Sequence, residues 1–77
     1  MNKIQVRTRS LNVFDKSYHV LEWNNNLYDA YLIRSKIIEV LKENETLFYQ
    51  VNDNKIYTND AGLFHVQMEL INDIELV

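Results

Sequence analysis

The sequence predicts an α+β fold in which one amphipathic helix packs on an antiparallel sheet, with elements in the order β-β-α-β-β-β. Two observations predict this fold. The segment 26–44 repeats its apolar residues at helical spacing. Most of the remaining chain alternates apolar with polar residues and turns at asparagine and aspartate, which is typical of short strands. Strands joined by short turns pair antiparallel, so we expect the helix to lie across one face of such a sheet.

The helix is predicted over residues 26–44, with Asn26 as its N-cap residue. At about 100° per residue, the apolar side chains fall on one half of the helix; these are Leu27, Ala30, Tyr31, Ile33, Ile37, Ile38, Val40 and Leu41. Such a wide stripe suits a helix lying across a sheet. Arg34 lies within the stripe, where its guanidinium is expected to reach an acid or a carbonyl. Tyr28 and Leu32 lie on the otherwise polar side, where they either pack under a loop of the same chain, which is preferred, or form a partner surface.

The residues before the helix predict a β-hairpin. Residues 3–8 alternate as a strand, but the phase slips near Ser10, which predicts a bulge or a bend. A turn is predicted at residues 15–17 and a second strand over residues 18–23. Because the chain has 1 Gly and 0 Pro, positive φ angles in the turns are expected to fall to Asn and Asp.

The residues after the helix predict three further strands. Residues 46–52 and 55–58 form a hairpin with its turn at Asp53-Asn54, and residues 59–62 turn again. From residue 63 to the C-terminus the apolar residues share one parity, which predicts a long strand, with a break at Asn72-Asp73 as a variant. The alternative is a second helix over residues 63–71, which the apolar spacing weakly allows. The strand is preferred because the alternation is strict.

The charges predict which strands are neighbours. The first strand carries basic residues on its outward face and the last strand carries acidic residues, so placing them side by side forms favourable cross-strand pairs. Each exposed pair would contribute only some tenths of a kcal/mol. A charge reversal at Arg7 that left stability unchanged would contradict this arrangement.

Length and composition narrow the class of protein. With 77 residues and 47% hydrophobic content, the chain is expected to fold as a single domain over residues 1–77. The absence of cysteine excludes disulfides and thiolate chemistry. Because no apolar leader and no run of roughly 18 apolar residues is present, we expect a cytoplasmic protein without a membrane partner.

No residue pattern predicts catalysis, so we expect a protein that is not an enzyme and holds no cofactor. His19 and His65 lie on separate predicted strands without a recurring metal-ligand spacing, which is a weak signal for a metal site. Ser10, Ser17 and Ser35 lack the context of an activated nucleophile.

The remaining features favour contact with another protein. Tyrosine is enriched at interfaces, and open strand edges can add a strand from a second copy, which predicts a homodimer as one possibility. We expect a non-enzymatic interaction module, a regulator or inhibitor that occupies a partner's surface through Tyr28, Leu32 and Arg34. Composition associates such small proteins with phages and mobile elements.

The alternative is a nucleic-acid-binding regulator. Lys3, Arg7 and Arg9 line one face of the first strand at a spacing that could follow phosphates. The formal net charge of −3 and the mixed charges of the predicted helix weigh against nucleic acid. Steep salt dependence would distinguish this alternative from a protein interface.

Overall fold

The computed structural model describes residues 3–27 and 29–77, which form one five-stranded sheet with two helices. The elements are β1 (Ile4–Val13), β2 (Lys16–Trp23), α1 (Ala30–Glu43), β3 (Phe48–Asn52), β4 (Lys55–Thr58), α2 (Asp60–Glu69) and β5 (Ile74–Leu76). The sheet order is β3-β4-β2-β1-β5, and every pair of neighbours is antiparallel except β1 and β5. The predicted α+β class is therefore confirmed, with a second, shorter helix added.

The first hairpin has no bulge. The register runs without interruption from Val6 opposite Trp23 to Val13 opposite Lys16, so the predicted irregularity near Ser10 is wrong. The apolar residues change parity because β1 places them on both faces of the sheet. The turn is Phe14-Asp15 rather than residues 15–17, and both residues have positive φ (52° and 62°), as in the tight turns that match strand twist.

Helix α1 begins later than the sequence predicts. Its N-cap is Asp29, whose carboxylate accepts the backbone N–H groups of Tyr31 (3.0 Å) and Leu32 (3.3 Å). The prediction of Asn26 is wrong because a carboxylate both caps the helix and interacts favourably with its positive end. Tyr31 and the preceding Leu27 are exposed, so the predicted buried stripe is realised only from the second turn onward.

The end of α1 is a Schellman motif, the paired hydrogen bonds that often close a helix. The N–H of Thr46 donates to the carbonyl of Leu41 (2.8 Å), and the N–H of Glu45 donates to that of Lys42 (3.1 Å). Glu45 has φ of 52°, the left-handed conformation that glycine usually adopts there. Positive φ angles were predicted to fall to Asn and Asp. Of the three non-glycine residues with positive φ in the described chain, only Asp15 fits this prediction, and Phe14 and Glu45 do not.

Residues 60–69 form a helix, so the preferred long strand over this segment is wrong. The side chain of Asn59 accepts the N–H of Gly62 (2.9 Å) and caps α2. Val66 and Leu70 are buried, while Phe64 and Met68 point away from them. The two residues of each pair are four positions apart and therefore lie on the same face of the helix, so the two pairs occupy two different faces. All four residues nevertheless have even numbers, as the residues on one face of a strand would. The strict alternation therefore came from a helix that is apolar on two faces.

The first and last strands are neighbours, as predicted, but the expected ion pairs between them are absent from the described residues. β5 runs parallel to β1, with Glu75 opposite Gln5. Asp73 instead accepts a hydrogen bond from Lys36 of α1 (3.2 Å). Glu69 lies in α2 rather than in the sheet.

The hydrophobic core lies between one face of the sheet and both helices. Its buried members are Val6, Leu21, Trp23, Ile33, Ile37, Val40, Leu41, Ile56, Val66, Leu70 and Ile74. Both helices contribute to this single cluster, so within the described chain the opposite face of the sheet carries no helix. We call that opposite face the open face.

Candidate functional site

The outward side of α2 and the turn that follows it carries large apolar side chains. Phe64, Met68 and Ile71 are 58%, 57% and 53% exposed. Phe64 and Met68, four residues apart, lie on one side of α2, and Ile71 follows in the turn after the helix. We call these three residues the α2 stripe. A helix on a protein surface normally carries polar residues there, so this stripe is the feature that the fold itself does not require.

A close contact with strand β4 fixes the position of α2. A Cβ atom on Gly62 would lie 1.7 Å from Thr58 Oγ1 and 2.9 Å from Thr46 Cγ2, so only glycine permits the observed approach. Thr58 is fully buried, and its hydroxyl donates to the carbonyl of Leu47 (2.8 Å). The helix that presents the stripe is therefore held against the sheet at its first turn.

Polar residues fix the side of α2 that faces α1. Glu69 accepts a hydrogen bond from the Asn44 side chain (2.6 Å) and lies 3.5 Å from His65 Nδ1. The His65 ring also packs edge-on against Phe64, with ring centroids 5.5 Å apart. The apolar stripe is thus bordered by an ordered polar rim, the arrangement found at protein interfaces.

The partner-binding residues predicted on α1 have different surroundings. Leu32 is 50% exposed in the first turn of the helix. The Arg34 side chain is only 18% exposed, forms an ion pair with Asp53 (2.8 Å) and lies 5.2 Å from the centre of the Tyr31 ring. The expected contact of Arg34 with an acid is therefore present within the chain. Tyr28 lies outside the described residues.

The open face of the sheet carries the basic residues of β1. Arg7 and Arg9 are exposed there, and Lys3 is exposed just before the strand. Cross-strand partners on this face also place Tyr18, Tyr57 and Tyr49 on adjacent strands. Sequence analysis identified the arginines but not the tyrosine cluster, because that cluster depends on the strand order.

A cavity of about 410 Å3 lies at one end of the open face. Its lining combines polar side chains with one indole and a few apolar groups: Gln5, Arg7, Glu22, Trp23, Asn24, Asn25, Leu27, Asn54 and Val77. Asn54 donates to the carbonyl of Trp23 (2.6 Å), which ties the β3–β4 turn to this site. Within the described part of the chain, the buried Trp23 Nε1 has no hydrogen-bond partner.

The two histidines contact different acidic residues. His19 on β2 pairs with Asp60 at the start of α2, and His65 pairs with Glu69. Among residues 3–27 and 29–77, no group of three His, Asp or Glu side chains is arranged to hold a metal ion. In the same residues, neither helix combines the length and apolar character needed to cross a membrane.

Comparison with known protein families, with curated proteins and with solved structures finds no match to this chain.

Proposed function

We propose that this protein is a small non-enzymatic interaction module that binds another protein through the α2 stripe. The observation that carries the proposal is that Phe64 and Met68 on α2, and Ile71 in the turn after it, are each more than half exposed. Contiguous exposed apolar side chains bordered by polar residues are characteristic of protein interaction sites.

The placement of the stripe favours tight binding. Phe64 and Met68 have the i, i+4 spacing of the anchors in helix-in-groove recognition, and Ile71 in the turn extends the apolar surface. Because α2 is already docked on the sheet, little conformational entropy is lost when a partner covers it. Phe and Met are both enriched in the buried centres of interfaces.

The surrounding charge suggests the character of the partner. The chain has 8 basic and 11 acidic residues. Four of the basic and two of the acidic residues lie on the open face: Arg7, Arg9, Lys16, Lys55, Glu22 and Glu75. The rest of the molecule is therefore left with four basic and nine acidic residues. A partner with an apolar groove and a basic rim would complement this acidic side.

A module of this kind acts by occupying a surface rather than by catalysis. It would serve as a regulator or inhibitor by excluding other ligands from the partner's groove. Self-association is the competing use of exposed surface. Here the free outer edge of β3 could add a strand from a second copy, since Tyr49 and Val51 on it are 51% and 47% exposed.

The experiment is an affinity capture from nuclease-treated native lysate with three tagged proteins: the wild type, Phe64→Ser/Met68→Ser and Tyr31→Ser/Leu32→Ser. The second variant is a matched control, because it also replaces one aromatic and one aliphatic residue that are at least half exposed, but on α1. Bound proteins are identified by mass spectrometry, and sedimentation reports the oligomeric state.

The proposal expects a stoichiometric partner that the α2 variant fails to capture and the α1 variant retains. Loss of the partner only with the α1 variant would move the site to the first turn of α1, where Leu32 lies. A stable wild-type dimer that the α2 variant dissociates would instead assign the stripe to self-association.

A further inference from the structure

The open face of the sheet has a charge opposite to that of the rest of the molecule. It carries Arg7, Arg9, Lys16 and Lys55 but only the acids Glu22 and Glu75, and Lys55 lies 3.8 Å from Glu22. In the described residues, no acidic side chain forms an ion pair with Arg7 or Arg9. Both arginines are exposed on one strand, two residues apart, which separates them by roughly 7 Å. The face therefore complements an anionic ligand.

Three tyrosines lie on the same face of the sheet, Tyr18 on the neighbouring strand β2, Tyr57 on β4 and Tyr49 on β3. Tyr57 is opposite Tyr49 on one side and opposite Val20 on the other, and Tyr18 packs edge-on with Tyr49 at 6.1 Å between ring centres. Val20 is fully buried although no helix covers this face in the described chain, so neighbouring side chains such as Tyr57 and Arg9 must cover it. The rings form an aromatic platform that spans β2, β4 and the edge strand β3.

The cavity at the end of the same face supplies hydrogen-bonding groups. Gln5, Asn24, Asn25 and Asn54 line it next to Arg7. The side chain of Asn24 accepts the N–H of Asn26 (2.8 Å) and that of Asn54 donates to Trp23, so the amides of Gln5 and Asn25 are the ones that a ligand would meet first. Amides both donate and accept, which suits the edges of nucleobases. The cavity opens to solvent, and its volume of about 410 Å3 is in the range of small-molecule sites.

We propose that the open face binds single-stranded nucleic acid, with bases on the tyrosine platform, phosphates on Arg7 and Arg9, and one base in the amide-lined cavity. Aromatic rings that stack bases within a basic groove are how many proteins hold single strands. An acidic protein segment would satisfy the arginines but would leave the platform and the amides without matching groups. This site is separate from the α2 stripe, so either proposal can fail without the other.

The test is fluorescence anisotropy with labelled single strands of about 12 nucleotides, within the usual size of such sites, as DNA and as RNA. A duplex of the same sequence and poly-glutamate serve as competitors. Binding is measured between about 50 and 200 mM salt, because phosphate contacts make affinity fall steeply over this range. The variants are Arg9→Ala and Tyr57→Leu, with Lys42→Ala as the control that removes one exposed positive charge from α1.

We expect binding that weakens with salt, with single strands preferred over the duplex and poly-glutamate competing poorly. Arg9→Ala should reduce the log–log salt slope by about 0.7, the value for one phosphate contact on a single strand. Tyr57→Leu should weaken binding roughly 5- to 150-fold through lost stacking. Lys42→Ala should change neither quantity.

Three results would overturn the proposal. One is no binding at protein concentrations up to roughly 100 μM, the weak end of non-specific affinity. Another is equal loss of affinity in Lys42→Ala and Arg9→Ala, which would mean general charge attraction. The third is competition by poly-glutamate as strong as that by the oligonucleotide, which would assign the face to an acidic protein segment. The distinction between DNA and RNA follows from which strand binds more tightly.

Discussion

Helices α1 and α2 pack against the same face of the same sheet, yet their outward faces differ. α1 buries residues such as Ile37 and Leu41 and presents Glu39, Lys42 and Glu43 to solvent. α2 buries Val66 and Leu70 but presents the α2 stripe. The inward faces of both helices serve folding. α1 exposes Tyr31 and Leu32 in its first turn only, whereas the exposed apolar residues of α2 continue into the turn after it. We therefore propose α2 as the helix that contacts a partner.

The largest expected effect is on the inward face of α1. Ile37→Ala should lower the free energy of unfolding by about 2 to 5 kcal/mol, because Ile37 is fully buried in the core. Phe64→Ala on the α2 stripe should cost less than about 1 kcal/mol, because most of that side chain is exposed. Urea unfolding of both variants measures this difference. Equal costs would mean that the stripe belongs to the core and not to a contact surface.

A second large effect is expected where α2 touches the sheet. Gly62→Ala should destabilise by about 1 to 3 kcal/mol, because the added methyl group would overlap Thr58 Oγ1. In a Thr58→Ala background the same change should cost less, since the overlapping hydroxyl is gone. Urea unfolding of the four proteins gives the coupling. Strict additivity would contradict the close approach of α2 to β4.

The difference between the helices also explains what the sequence could predict. α1 was recognised because its apolar and polar residues segregate at helical spacing, although its start was misassigned to Asn26. α2 was mistaken for a strand because Phe64, Val66, Met68 and Leu70 share one parity, which a helix with two apolar faces also produces. The sequence does contain one indication of a helix start, which is Asn59 as a capping residue followed by the acidic Asp60 in the first turn.

The functional surfaces were less predictable than the elements. The position of Leu32 away from the buried stripe, and the need of Arg34 for an acid or a carbonyl, followed from helical spacing alone. The choice of Asp53 as that acid, and the cluster of tyrosines on the open face, depend on which strands are neighbours. Phe64 and Met68 were assigned to the buried face of a strand, so the α2 stripe could not be found before the helix was known.

A moderate effect is expected at the polar contact of α1 with the β3–β4 turn. Arg34→Ala should destabilise by about 1 kcal/mol, through loss of the pair with Asp53 and of packing against Tyr31. Lys42→Ala, on the solvent side of the same helix, is the control and should be close to neutral. Thermal unfolding compares them. A neutral Arg34→Ala would leave partner contact as the better account of this arginine.

The smallest effect is expected at the end of α1 and has the opposite sign. Glu45→Gly should stabilise the protein by about 0.5 to 1 kcal/mol, because Glu45 adopts a left-handed conformation that costs glycine nothing. Glu43→Gly, two residues earlier in the last turn of α1, should destabilise by about 1 kcal/mol. Destabilisation by both variants, measured by urea unfolding, would contradict the Schellman motif.

The most direct test of the central claim uses the natural absence of cysteine. Single variants Phe64→Cys, Val66→Cys and Met68→Cys are reacted with a maleimide under native conditions, where exposed thiols are labelled much faster than buried ones. A helix with an exposed apolar stripe predicts fast labelling at positions 64 and 68 and protection at position 66. Equal labelling at all three positions is expected if they lie on one face of a strand. That result would contradict both the helical structure of α2 and the surface proposed to bind a partner.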